Sequence, residues 1–177
     1  MDRRFLNFSS SSTPQEIKKC FESYADYLQE NLHRFPAHAF RFASAEWHYD
    51  SGDPRCPHDS WLESLQILET GSETGDSRRS INITATFLGA YHDGTFTVTY
   101  TNVEDYRLDK LRVGNARNIG DGHGDWLIDE ILVTDDGFVV HDIEFDNDNR
   151  WTICCEDIEY KWIPFEGKVR KIKEDRE

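Results

Sequence analysis

The chain has 177 residues, 37% hydrophobic and 31% charged, a length that fits one domain burying roughly 70% of its unfolded-chain surface. Its 34 acidic against 20 basic side chains leave a formal charge of -14, which opposes binding to nucleic acid and other polyanions and favours a cationic protein partner. No apolar run reaches the ~18 residues a transmembrane helix needs, and Met1-Asp2-Arg3-Arg4-Phe5 leads into serines instead of a signal-peptide apolar stretch, so the expectation is a soluble cytoplasmic protein.

After the serines Ser9 to Ser12, Thr13-Pro14-Gln15-Glu16 carries a helix start: Thr13 as N-cap, Pro14 at the first helical position and Glu16 closing a capping box. Ile17, Cys20, Phe21, Tyr24, Leu28 and Leu32 then recur at helical spacing, with Lys18, Lys19, Glu22, Asp26 and Glu30 largely between them. This predicts an amphipathic N-terminal helix over about 14–34 that stops before Pro36. The aromatic residues Phe40, Phe42, Trp47 and Tyr49 suggest an early strand, although alternation breaks at Ala43-Ser44-Ala45. Asp50-Ser51-Gly52-Asp53-Pro54 is a turn cluster.

From about 58 to 163 the chain reads as β. Ile81, Ile83, Ala85 and Phe87 alternate with polar residues, and Asp93-Gly94 turns the chain into Phe96, Val98 and Tyr100, which alternate with threonines. A second hairpin runs from Trp126 through Val133, with Asp136-Gly137 as another type I′ signal into Phe138 to Phe145. The Asp146-Asn147-Asp148-Asn149 turn then leads to a last strand from Trp151 to Trp162. Its residues Trp151, Ile153 and Cys155 lie on one side, and Cys154, Ile158, Tyr160 and Trp162 mostly on the other, so that strand is expected to be covered on both faces. Gly71 to Arg79 and Gly114 to Gly124 read as loops, and 167–177 as a loose tail. The fold expected is a single α+β domain, predominantly an antiparallel β meander, as a sandwich or partly open barrel, with an N-terminal amphipathic helix.

Motifs for chemistry are few. Cys20, Cys56, Cys154 and Cys155 form no pair of CxxC motifs, so structural zinc has little support and buried thiols are expected. His-Asp occurs at His58-Asp59, His92-Asp93 and His141-Asp142, a dipeptide that ligates metal in the helical HD phosphohydrolases. Here the second pair sits at a hairpin tip and the third on a strand, so turn and capping roles are the simpler reading. Gly120-Asp121-Gly122-His123-Gly124-Asp125 leads into a strand and lacks the lysine of a phosphate loop. Asp146-Asn147-Asp148-Asn149 departs from an EF-hand, with Trp151 where glycine is needed and Asp157 in place of the closing Glu. There is no GxSxG elbow, and Cys56, beside Pro57-His58 in an apparently exposed loop, is a conceivable but unspecified nucleophile. No catalytic residue, metal or cofactor is assigned.

Charge distribution says more. Residues 121–159 hold 13 acidic groups and one basic, on adjacent predicted strands and turns. Asp125, Asp129, Glu130, Asp142, Glu144, Glu156 and Asp157 are therefore the candidate partner-binding residues of an acidic face. The segments His58-Asp59-Ser60-Trp61-Leu62, Thr101-Asn102-Val103, Tyr106-Arg107-Leu108 and Trp126-Leu127-Ile128-Asp129-Glu130-Ile131 resemble those of small β-rich bacterial domains, some of them immunity proteins of polymorphic toxin systems. The resemblance spans roughly 58–162 and implies a protein that neutralises a toxin, often a cationic nuclease; it carries no catalytic residue.

The leading expectation is a non-enzymatic protein-binding domain, possibly of the immunity type, whose acidic face contacts a basic protein. Two alternatives stand beside it. One is a small-molecule binding β-barrel, motivated by 11 Phe, 7 Tyr and 5 Trp. The other is a metal-dependent hydrolase, which requires His58, Asp59, His141 and Asp142 to converge.

Overall fold

In a computed structural model, which describes residues 4–8, 11–71, 79–111 and 122–167, two helices precede six strands. Helix α1 (Pro14–Glu30) starts as the capping box requires: the Thr13 hydroxyl accepts from the Glu16 amide at 3.3 Å, and the Glu16 carboxylate accepts from the Thr13 amide at 2.7 Å. It ends earlier than expected. The Asn31 side chain donates to the Tyr27 carbonyl at 2.9 Å, and a 3-10 turn over Leu32–Arg34 carries the chain to Pro36.

The expected early strand is instead helix α2 (Ala37–Ala43) followed by turns. Phe35, Ala39, Phe42 and Ala43 are buried at helical spacing. The helix receives its cap from far along the chain, where the Asp157 carboxylate accepts from the Ala39 amide at 2.9 Å and contacts His38 Nδ1 at 2.8 Å. No residue near Pro36 announces that cap.

The strands are β1 (Trp61–Gly71), β2 (Arg79–Leu88), β3 (Gly94–Leu108), β4 (Trp126–Val133), β5 (Val139–Phe145) and β6 (Arg150–Pro164). They form one antiparallel sheet in the order β1-β2-β3-β6-β5-β4. Two three-stranded meanders are thus joined along the two longest strands, β3 and β6. The sheet does not close into a barrel, although its edges pinch together at one end: the Asp59 amide donates to the Trp126 carbonyl at 2.9 Å and the Trp126 amide to the Ser60 carbonyl at 2.8 Å.

Turn geometry differs from the type I′ expectation, which demands two left-handed residues. At Asp136-Gly137 only Gly137 is left-handed (φ 89°), and at Asp146 to Asn149 only Asp148 (φ 63°). Both are three-residue loops, closed by Thr134 N to Phe138 O at 2.8 Å and Phe145 N to Asn149 O at 2.9 Å. At the first hairpin the left-handed residue is His92 (φ 52°). Gly94 serves close approach instead, since a Cβ there would penetrate the Trp162 ring.

The last strand is not two-faced as its parity suggested. Buried positions run Trp151, Ile153, Cys155 and then Ile158, and opposite them Val98, Tyr100 and then Val103, beside left-handed Asn102 (φ 47°). The interval of three turns both halves of each strand toward one core. There Phe87 packs on Phe96, Trp126 and Trp151, and Phe42 of α2 stacks on Tyr160. The expected loops at 72–78 and 112–121 and the tail at 168–177 lie outside the described residues.

Helix α1 lies along β4, an edge strand whose outward backbone groups need partners. Tyrosines supply them. Tyr24 Oη accepts from the Ile131 amide at 2.7 Å and donates to the Ile131 carbonyl at 3.0 Å. Tyr27 Oη accepts from the Val133 amide at 2.9 Å, and Tyr49 Oη donates to the Asp129 carbonyl at 2.9 Å. Tyr24→Phe should lower stability by about 1–3 kcal/mol, because it strands a buried donor and acceptor together. Urea unfolding monitored by circular dichroism is the check, with a lowered midpoint and an unchanged slope as the outcome.

Candidate functional site

Beneath the tyrosines lies a buried polar network centred on Asp129, which is 1% exposed. Its carboxylate accepts from the Trp126 indole at 3.1 Å and faces His48 Nε2 and His141 Nε2, each at 3.0 Å. The other nitrogen of His48 faces the Phe42 carbonyl at 2.8 Å. Both nitrogens of His48 therefore meet acceptors, and His141 Nδ1 meets Tyr100 Oη at 2.9 Å, so each ring is held by a partner on either side. Burial opposes the charge of Asp129, but the attraction of His48 and the hydrogen bonds from both histidines outweigh it and hold the carboxyl well below the usual range.

Beside this network is a cleft of about 610 Å³ between α1 and the start of β4. Phe8, Ile17, Phe21, Tyr49, Trp126 and Leu127 supply its apolar walls, His48 and Asp129 its floor, and His58 and Glu144 polar lining. Its volume is within the range of small-ligand sites. His58 Nδ1 donates to the Leu127 carbonyl at 2.8 Å, which places the imidazole. Close by, the Asp125 amide donates to Asp146 Oδ1 at 3.0 Å. Burial, and then the charges of Asp146 and Asp59, push the Asp125 carboxyl up, with His58 opposing. Three carboxylates thus feel one another near this end of the cleft.

The expected acidic face is not gathered on one surface. Asp129 is in the network. Glu130, also 1% exposed, holds the amides of Arg4, Phe5 and Leu6 and so fastens the N-terminal segment. Asp142 is buried against Arg150 through two hydrogen bonds, and Asp157 caps α2. Glu156 is exposed but sits beside Thr70 and Gly71, at the far end of β1 from Trp61. Of the seven candidates, Asp129 and Glu144 line the cleft and Asp125 adjoins it. On β4, β5 and β6 these carboxylates face buried side chains, Arg150, backbone amides or a helix end instead of water.

The His-Asp pairs do not converge. His141 enters the network while Asp142, its neighbour on β5, turns to the other face, so the set His58, Asp59, His141 and Asp142 is not assembled around a metal. Among the described residues no group of three or more His, Cys, Asp or Glu is placed to hold a metal ion. His92 packs edge-on against Trp61 (4.7 Å), and neither carboxylate oxygen of the buried Asp93 has a hydrogen-bond partner among the described residues. Among the described residues the sheet is open and forms no barrel lumen. Cys56 is not in an exposed loop: it is 4% exposed, its thiol donates to the His48 carbonyl at 3.0 Å, and burial pushes it up to about 12. Sequence reasoning missed His48, Tyr49 and Tyr100. Nothing in their spacing marks them, because their partners Asp129 and His141 lie 41 to 81 residues away.

No family model, curated protein or solved structure matches the chain. No helix among the described residues is long and apolar enough to cross a membrane.

Two outcomes follow from the network. Asp129→Asn removes the buried carboxylate that takes the Trp126 indole and faces both His48 and His141, and should cost about 3–5 kcal/mol. Because the folded carboxyl is held low, its contribution is full above the ordinary carboxylate range and is lost as acid protonates it. The stability of the wild type should therefore fall more steeply than that of Asp129→Asn below about pH 5 in urea titrations across pH. Separately, iodoacetamide labelling of the native protein followed by mass spectrometry should leave Cys56 and Cys155 unmodified, since burial pushes both thiols up to about 12. Labelling of Cys56 before unfolding would contradict its placement.

Proposed function

We propose that this protein is a non-enzymatic protein-binding domain, of the kind that includes immunity proteins, that docks a basic partner at the acidic end of the cleft. The observation that carries the reading is the meeting of an apolar cleft with Glu144 and the mutually repelling Asp59, Asp125 and Asp146. Such a site suits a side chain with a hydrocarbon body and a cationic head, the chemistry of lysine and arginine. Three features favour binding over catalysis. The strongest acid-base constellation, Asp129 with His48 and His141, is buried and occupied by contacts within the fold. The Cys56 thiol stays protonated at neutral pH. The net charge of -14 steers cations toward the molecule.

A second reading is favoured by the walls of the cleft alone: Phe8, Phe21, Tyr49 and Trp126 suit a small apolar ligand. One experiment separates the two. Wild type and the isosteric triple variant Asp59→Asn, Asp125→Asn, Glu144→Gln serve as baits in low-salt affinity capture from host lysate, with bound proteins identified by mass spectrometry. A basic protein held by the wild type, lost from the variant and released by moderate salt is the expected result. Equal retention by both baits, or retention of nothing, removes the reading. In the second case, a raised melting temperature in a low-molecular-weight extract would turn attention to a small ligand.

A further inference from the structure

The two edges of the sheet are treated differently by the rest of the chain. The outward groups of β4 are answered by Tyr24, Tyr27 and Tyr49, and Arg34 donates to the Thr134 carbonyl just beyond its end at 3.0 Å. The other edge is β1. Among the described residues it pairs on its outer side only at Trp61, with Asp125, and no strand lies beyond it from Leu62 to Gly71. Natural sheets blunt such edges with lysine, proline or a covering element, because a long bare strand is a template for another. β1 has no Lys, Arg or Pro and keeps Ile67 43% and Leu68 49% exposed.

Charge selects among occupants. A second copy brings another -14, and two β1 strands paired antiparallel about Gln66 set Glu63 of each copy toward Glu69 of the other. A basic strand meets the opposite situation. Glu63 is exposed on β1, and Asp59 and Asp125 stand at its start, where Asp125 also contacts Asp146.

We propose that the free edge of β1, from Leu62 to Gly71, is a strand-addition site for an extended basic segment of a partner protein. Its main chain continues the sheet, and cationic residues at one end meet Asp59, Glu63 and Asp125. Main-chain hydrogen bonds supply affinity in this mode, and the side chains at alternate positions supply selectivity. The basic character of the occupant rests on the function proposed above; the availability of the edge does not.

The test uses the full chain at low salt and a synthetic peptide of about nine residues alternating Lys, Val and Thr. Controls are the same peptide with Glu for Lys and one with alternate amides N-methylated. The lysine peptide should bind saturably and slow amide hydrogen exchange within β1. The glutamate peptide should bind at least about tenfold more weakly, and the N-methylated one not measurably. Leu68→Lys should weaken the lysine peptide while Leu68→Glu does not, which separates charge from any loss of folding. Failure of the cleft reading and failure of the edge reading are told apart by where exchange slows: protection of Leu62 to Gly71 reports the edge, whereas protection of α1 and β4 without β1 reports the cleft alone. Binding without protection of β1, or equal binding of the Lys and Glu peptides, overturns the proposal. So does a peptide-free dimer with β1 already protected, which assigns the edge to a second copy.

Discussion

Covering an edge strand creates a debt of hydrogen bonds, and the way β4 meets it shapes the surrounding structure. Where α1 and the N-terminal segment displace water from that edge, each outward amide and carbonyl must find another partner or cost several kcal/mol in total. A phenol is suited to this because one hydroxyl both accepts and donates, so Tyr24 satisfies both groups of Ile131. Residues two apart on a strand lie roughly 6.8 Å apart. The rings of Tyr24 and Tyr27 are stacked at 6.4 Å, so one turn of α1 matches two residues of β4. Burial holds the Tyr24 hydroxyl well above its usual range, keeping it a neutral partner.

The same strand carries a buried carboxylate, Asp129, facing His48 at 3.0 Å. A buried charge of this kind contributes little net stability compared with an apolar substitute, since desolvation consumes most of what its partners return. Its value is arrangement. Asp129 draws in His48 from the segment after α2, Trp126 from its own strand and His141 from β5. Few apolar contacts would fix three elements in one register. Any slippage of β4 by one residue would place Asp129 on the other face and leave His48 unpaired.

Much of the architecture was legible because it is written locally. The capping box at Thr13 and Glu16, the alternation from Ile81 to Tyr100 and the glycine of Asp136-Gly137 each act within a few residues. Helix α2 was not legible, because its cap is Asp157 and its aromatic residues imitate a strand. The acidic candidates were misplaced for the same reason: their partners, Arg4 to Leu6 for Glu130 and His48 for Asp129, are 81 to 126 residues away. Only Arg150, eight residues from Asp142, was near enough to suspect. Four consecutive buried residues, Ile128-Asp129-Glu130-Ile131, hide their logic because both faces of β4 and its edge are covered at once.

Counting carboxylates therefore overstates what the surface offers. Asp129 is spent on buried side chains, Asp142 on Arg150, Glu130 on backbone amides and Asp157 on a helix end. The carboxylates near the pinch of the sheet are a smaller set, Asp59, Asp125, Glu144 and Asp146, and this set adjoins both the mouth of the cleft and the first residues of β1. That proximity has a cause in the topology. The pinch forces the residues entering β1 and β4 together, so carboxylates distant in sequence, at 59 and 125, become neighbours whose repulsion the fold must bear. A cation brought to this corner would relieve that repulsion as well as add its own attraction, so the constraint that half-closes the sheet also sets the local charge that such a partner would meet.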